Sequence, residues 1–235
     1  MIHEHAFNTA WWGKPAGLVS DAAFFDQPLA DQEAQLAAYA WVEYRQLYDT
    51  DVPAWALSTA GFTHADIQLR FKIGLHQVDP SPSLDPIDVV FASDKSFQLN
   101  PAHMALFQHE RFLLLPGATP ERVNTRYALW ANNLIAEQPQ WCMEVRLDGV
   151  AQGWFVSQMN GKSLNLTLAM LHKDATISGM HLYHKAMVEY AKRGARIGSA
   201  SYSSTNTMVM GIYARLGVRY LVPEGFWLWT PITQS

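Results

Sequence analysis

Residues 164–217 read LNLTLAMLHKDATISGMHLYHKAMVEYAKRGARIGSASYSSTNTMVMGIYARLG, and this stretch decides the fold. Leu164, Leu166, Leu168 and Met170 alternate with Ser163, Asn165 and Thr167, the period-two pattern of a strand with one drier face. Lys173 to Ser178 form a loop. From Gly179 onward Met180, Tyr183, Met187 and Tyr190 recur at steps of three and four, a helical stripe closed by Arg193-Gly194. A second strand and a second helix follow, and the helix stops at Gly217. A glycine where a strand and loop turn into a helix has two readings. It is an ordinary turn, or it lets free backbone N–H groups face a phosphate, helped by the positive end of the helix dipole.

Upstream of this stretch, CMEVRL and GWFVSQM read as two more strands, separated by Asp148-Gly149 and followed by Asn160-Gly161, both strong hairpin signals. Thr119-Pro120-Glu121 opens a helix with a capping hydroxyl, a proline at the first helical position and an acid in the first turn. Val123, Tyr127, Trp130 and Leu134 mark its apolar face. VVFASDKSFQL reads as extended chain, and FWLWTPI as a last strand. The proline-rich HQVDPSPSLDPID over 76–88 reads as a linker or exposed loop. Before it, a first unit is expected as strand, helix, helix, strand. Short strands and turns cover 7–25, and a helix covers 29–48 with Leu36, Ala40, Glu43 and Leu47 on one face. A second helix runs from Pro53 to Gly61, and a strand alternates Ile67, Leu69, Phe71 and Ile73 with polar residues. The expected domains are a smaller α/β unit over 1–75, a linker over 76–88 and a larger unit over 89–235.

Composition narrows the function. Of 235 residues 49% are hydrophobic and 16% charged, which suits a compact chain and argues against disorder. The net charge of −4 and the lack of a basic run argue against a nucleic-acid partner. No stretch approaches the roughly 18 apolar residues of a membrane span. The N-terminus lacks a signal-peptide layout, and a single cysteine, Cys142, excludes an internal disulfide. A cytoplasmic location and a buried, inert Cys142 are expected.

The nine histidines are scattered and show no metal-ligand pattern, so no metal site is expected. Neither G-x-S-x-G, nor a P-loop, nor G-x-G-x-x-G occurs, which removes common hydrolase, nucleotidase and dehydrogenase readings. What remains is the loop before Gly179, then Asn206 and, seven residues on and on nearly the same helical face, Tyr213. A phenol can donate a proton to a leaving thiolate at neutral pH. On the residues alone, a core tyrosine beside Val209, Ile212 and Leu216 is the favoured reading.

Set together, the loop ending at Gly179, Asn206 and the segment NTMVMGIYARLGV resemble the GNAT superfamily of acyl-CoA-dependent N-acyltransferases. In that family the loop pattern is Q/R-x-x-G-x-G/A, and its amides hold the CoA pyrophosphate. Here Asp174 and Ile177 stand where the pattern has Gln or Arg and its first glycine. Phe107 to Phe112, followed by Arg126-Tyr127-Ala-Leu-Trp130-Ala-Asn-Asn133, is similar to a segment of bacterial sugar-nucleotide acetyltransferases of the dTDP-fucosamine type. The resemblance implies an α/β fold with a mixed, mostly antiparallel central sheet flanked by helices. It implies transfer of an acetyl or short acyl group to the amine of a nucleotide-linked, dTDP-type amino sugar for lipopolysaccharide, by a homodimer. Another small amine, a peptide N-terminus, or an inactive CoA-binding module are the alternatives. By the same resemblance, Tyr213 is the general acid. Met170, His172, Lys173, Thr176, Ile177, Ser178, Gly179, Met180 and Asn206 hold acetyl-CoA or another short acyl-CoA, with a backbone N–H near Met170 polarising the thioester. Arg111 and Trp130 contact the nucleotide sugar. No acid occurs in strand 163–171, where many relatives place a general base.

Overall fold

The structure, a computed structural model, describes residues 1–49, 52–105, 107 and 109–231. The chain begins β1 (Ile2–Glu4), α1 (Ala6–Trp12), β2 (Ala16–Val19), α2 (Leu29–Leu36), β3 (Trp41–Leu47), α3 (Ala54–Thr59) and β4 (Thr63–Gly74). It continues as β5 (Ile87–Phe91), α4 (Pro120–Glu137), β6 (Cys142–Leu147), β7 (Val150–Asn160), β8 (Ser163–Leu171) and α5 (Gly179–Lys192). It ends as β9 (Ile197–Ser203), α6 (Thr207–Arg215), β10 (Arg219–Tyr220) and β11 (Glu224–Trp229). Antiparallel pairings predominate, and β2–β3 and β8–β9 are parallel, so the fold is the expected mixed α/β one. Among the described residues no helix is long and apolar enough to cross a membrane.

Two compact units share the chain. One comprises 1–69, 111–118 and 222–235, and the other 70–110 and 119–221, so the division falls inside β4. In the first, strand order is β1-β2-β3-β11 and then the first half of β4. Phe24, Leu36, Val42, Leu57, Phe62 and Trp227 fill its core. The expected linker 76–88 lies inside the second unit, where the apolar Leu84 is buried. The closing strand expected in FWLWTPI forms as β11 in the first unit, while residue 232 of that stretch lies outside the described residues.

Two expectations for the first unit are corrected. The helix expected over 29–48 ends at Leu36, and Trp41–Leu47 is a strand. Trp41, Val42, Glu43 and Tyr44 are all buried because both faces of β3 are covered, Val42 and Tyr44 by the core with Phe24 and Trp227 and Trp41 and Glu43 by Phe112 and Arg111, so the strand shows no period-two alternation to read. Around Trp11 a helix replaces the expected turns, capped by His5, whose side chain accepts from Asn8 N–H, and ended by Gly13 in the left-handed region. Histidine is not among the favoured capping residues, so this start carries no sequence signal.

The second unit follows its pattern closely. Thr119 Oγ1 accepts from Arg122 N–H to cap α4. Asp148 and Gly149 have φ of 51° and 77°, the two left-handed residues of a tight hairpin turn joining β6 to β7. Strand order is the second half of β4, then β9-β8-β7-β6-β5. Leu164, Leu166, Leu168 and Met170 are buried and their alternates half-buried, as the pattern predicts. In α5, Tyr183, Met187 and Tyr190 are buried. Cys142 is buried in β6, and burial holds its thiol up at about 12.

Candidate functional site

Parallel β8 and β9 pair only at their beginnings, Leu164 with Gly198 and Asn165 with Ser199, where Ser163 Oγ and Ser199 Oγ meet at 3.0 Å. Beyond that base, β8 runs on to Leu171 and β9 to Ser203 with no further register between them among the described residues. The result is a fork. A register shift between β7 and β8, at Val156/Gln158, bends the sheet just where the arms part. The inner edge of each arm presents backbone N–H and C=O groups that an extended ligand can pair with.

The β8 arm leads through Met170, buried, and half-buried His172 into the loop before α5. Sequence reasoning missed the residue that shapes this loop. Gln152 is buried in β7, and its Oε1 accepts from Thr176 N–H at 2.7 Å, from Thr176 Oγ1 at 3.1 Å and from Ile177 N–H at 3.4 Å. A lone glutamine in an apolar strand carries no motif, so only its geometry reveals it. Ile177 does not adopt positive φ, and so a β-branched residue is tolerated where the GNAT pattern has glycine. The Asp174 carboxylate is 73% exposed, which leaves it solvated. Lys173 is exposed.

Ser178 caps α5, its Oγ accepting from His181 N–H at 3.3 Å. The N–H groups of Ser178, Gly179 and Met180 have no partner among the described residues, so the start of a 14-residue helix offers three donors and its positive dipole end. Gly179 has another reason for its identity. A Cβ there would lie 3.2 Å from Ile212 Cδ1 of α6, so the glycine lets the two helices approach.

The β9 arm leads into α6. Asn206 caps it, Oδ1 accepting from Val209 N–H at 3.1 Å. Tyr213 is buried within an aromatic group. Its ring is 4.1 Å from Phe71 of β4, 5.2 Å from Tyr183 of α5 and 5.8 Å from Tyr202 of β9, stacked on the last. Burial first, and the neighbouring phenols second, hold the Tyr213 hydroxyl well above the ordinary tyrosine value. It stays protonated at every physiological pH.

Fork, loop, Asn206 and Tyr213 therefore belong to one unit. Arg111 and Trp130 belong to different units. Arg111 lies in the first unit, its guanidinium over the Phe226 ring at 4.0 Å and its Nε 3.9 Å from buried Glu43. Trp130 lies in the second unit on α4, half-buried beside Tyr127 and Arg126. Within the stretch 107–112, residue 108 lies outside the described residues.

No protein-family model matches the chain, and no curated protein matches it in sequence. Solved structures do match. A GCN5-related N-acetyltransferase from Sphaerobacter thermophilus superposes with a TM-score of 0.62 over 97% of this chain and 75% of its own, at 13% identity. The tandem GNAT protein of the clavulanic acid biosynthesis pathway gives 0.55 over 93% and 76%, at 14% identity. A GCN5-related glucosamine N-acetyltransferase region in a fungal multi-domain GH3 β-N-acetylglucosaminidase gives 0.58 over 92% of this chain and 30% of that one, at 9% identity. Identities this low speak to fold alone. The fold of this chain is that of the GCN5-related N-acetyltransferases.

Proposed function

We propose that the chain is an acyl-CoA-dependent N-acyltransferase, and that its acceptor is the amine of a nucleotide-linked amino sugar of the dTDP type. The fork carries this reading: one arm runs into a helix start with three free N–H groups, the other into the helix bearing Tyr213. Two amides along a pantetheine arm suit the open backbone edge of β8 beyond Met170. A pyrophosphate suits the N–H groups of Ser178, Gly179 and Met180, with Lys173 and His172 at its flank. Thr176 and Ile177 shape the loop through Gln152 rather than donate their amides, and Asn206 fixes the start of α6. The acceptor amine attacks the thioester carbon, a backbone N–H near Met170 polarises the oxygen, and the Tyr213 O–H gives its proton to the departing sulfur. The resemblance of Phe107–Asn133 supports the sugar acceptor, and one structural relative is a glucosamine N-acetyltransferase region. Arg111 and Trp130 remain proposed contacts of the nucleotide sugar.

Incubation with acetyl-CoA and a panel of dTDP- and UDP-amino sugars, following release of free CoA thiol, tests this reading. Turnover with a nucleotide amino sugar is expected. Turnover only with other amines replaces the acceptor, and absence of acetyl-CoA binding in calorimetry overturns the whole reading.

A further inference from the structure

Beside the fork, three side chains not used so far form a hydrogen-bonded line. Ser203 ends β9 and is buried; its Oγ lies 2.8 Å from Thr205 Oγ1, and Thr205 Oγ1 lies 2.9 Å from His109 Nδ1. Ser203 Oγ also accepts from Thr205 N–H at 3.3 Å. With the imidazole neutral and its proton on Nε2, the hydroxyls order in one direction. Ser203 O–H donates to Thr205, and Thr205 O–H donates to His109 Nδ1.

The position of this line matters. Successive residues of a strand face opposite sides of the sheet, so Ser203 faces away from the side on which Tyr202 stacks against Tyr213. Acid and relay thus flank the β9 arm from opposite faces. That is the arrangement a transfer needs when the amine arrives on one side and the thiolate leaves on the other. Strand β8 itself carries no acid to take the amine's proton. His109 is exposed and so can pass a proton on to solvent.

We infer that Ser203, Thr205 and His109 form the proton exit for the acceptor amine, an inference that rests on the acyltransferase reading above. As the C–N bond forms, the amine N–H proton moves to Ser203 Oγ. The Ser203 proton moves to Thr205 and the Thr205 proton to His109 Nδ1, leaving an imidazolium. The C–S bond breaks with its electron pair on sulfur, which takes the Tyr213 proton. Solvent then accepts the proton of His109 and restores that of Tyr213. Next in the chain to His109 is Glu110, a titratable group whose carboxylate accepts from the Tyr127 hydroxyl of α4. The turn from Ser203 to Asn206 contributes none.

The test is kcat/KM against pH for wild type, His109→Gln, Thr205→Val and Thr205→Ser, using acetyl-CoA and two acceptor amines of different basicity. Acetyl-CoA affinity by calorimetry is measured in parallel as a control for folding. Wild type is expected to show an acidic limb that stays put when the acceptor is changed, besides the limb that follows the amine. His109→Gln and Thr205→Val lose the fixed limb and about 100-fold in kcat, within the range of a general base. Thr205→Ser restores both, and acetyl-CoA affinity is unchanged throughout. An active wild type whose His109→Gln and Thr205→Val variants keep the limb and the rate overturns the relay alone. A wild type that acetylates neither amine overturns the acyltransferase reading, and the relay with it.

Discussion

At Gln152 one side-chain oxygen holds three donors of the loop between β8 and α5. Gln152→Leu keeps the volume and leaves the Thr176 and Ile177 amides to find water or stay unpaired, a cost of about 1–3 kcal/mol per buried group. A lowered melting temperature and weaker acetyl-CoA binding are expected together, since the same loop leads into the three free N–H groups. A variant that binds acetyl-CoA as wild type does would separate Gln152 from the site. Tyr213 behaves differently. Tyr213→Phe keeps the ring stacking and removes only the proton, so kcat is expected to fall at least 10-fold, within what a positioned acid contributes, with acetyl-CoA affinity and melting temperature nearly unchanged. An unaltered kcat removes Tyr213 from the acid role. That Tyr213 sits on the helix begun by Asn206 was legible in their spacing, whereas the meetings made by Gln152 and by the line from Ser203 to His109 were not. Their partners lie 24 and 96 residues away, and no local pattern records such meetings.

Between elements, the legible parts are those whose signal is local. Capping by Thr119, the Asp148-Gly149 turn and the alternation of β8 all depend on residues within a few positions of each other. The fork is not of this kind, because it depends on where two strands stop pairing. Gly153 shows what holds it. A Cβ there would collide with the Met170 carbonyl oxygen of the facing strand, so the glycine lets β7 close on β8 beside the fork. Gly153→Ala is expected to cost about 1–3 kcal/mol, as overpacking does, and to displace the Met170 end of β8. Chemical denaturation reads the first effect and loss of acetyl-CoA binding the second. Tyrosines tie the helices to this sheet. Burial raises the hydroxyls of Tyr183, Tyr190, Tyr202 and Tyr213 above the ordinary value of about 10. The unfolded chain therefore releases these protons at lower pH than the folded one. The stabilisation is complete below pH of about 10 and is lost as pH rises through the folded values. Phenolate absorbance from these four residues is expected to appear only together with loss of circular dichroism. Smooth ionisation in a protein that keeps its native spectrum would contradict their packing.

At the scale of the whole chain, order in sequence and membership of a unit part company. The last strand was legible as a strand, from FWLW, yet nothing local says which strands it joins. It returns to the first unit and lies between β3 and β4, antiparallel to both, pairing Glu224 with Leu47 and with Gln68. Its covered faces explain why β3 reads so poorly: with both buried, its residues repeat neither at two nor at 3.6. Trp227 of β11 also belongs to the first unit's core beside Tyr44 and Phe62. Ending the chain after Leu221 therefore removes an inner strand rather than a tail, leaving β3 and the first half of β4 with unpaired edges. The three antiparallel strands β6, β7 and β8 belong to the second unit and keep their mutual pairings. Hydrogen exchange on the shortened chain is expected to show unprotected amides in β3 and near-native protection in β6 to β8. Protection of β3 at the full-length level would mean that the first unit stands without β11, and uniform loss would mean that the two units fold as one.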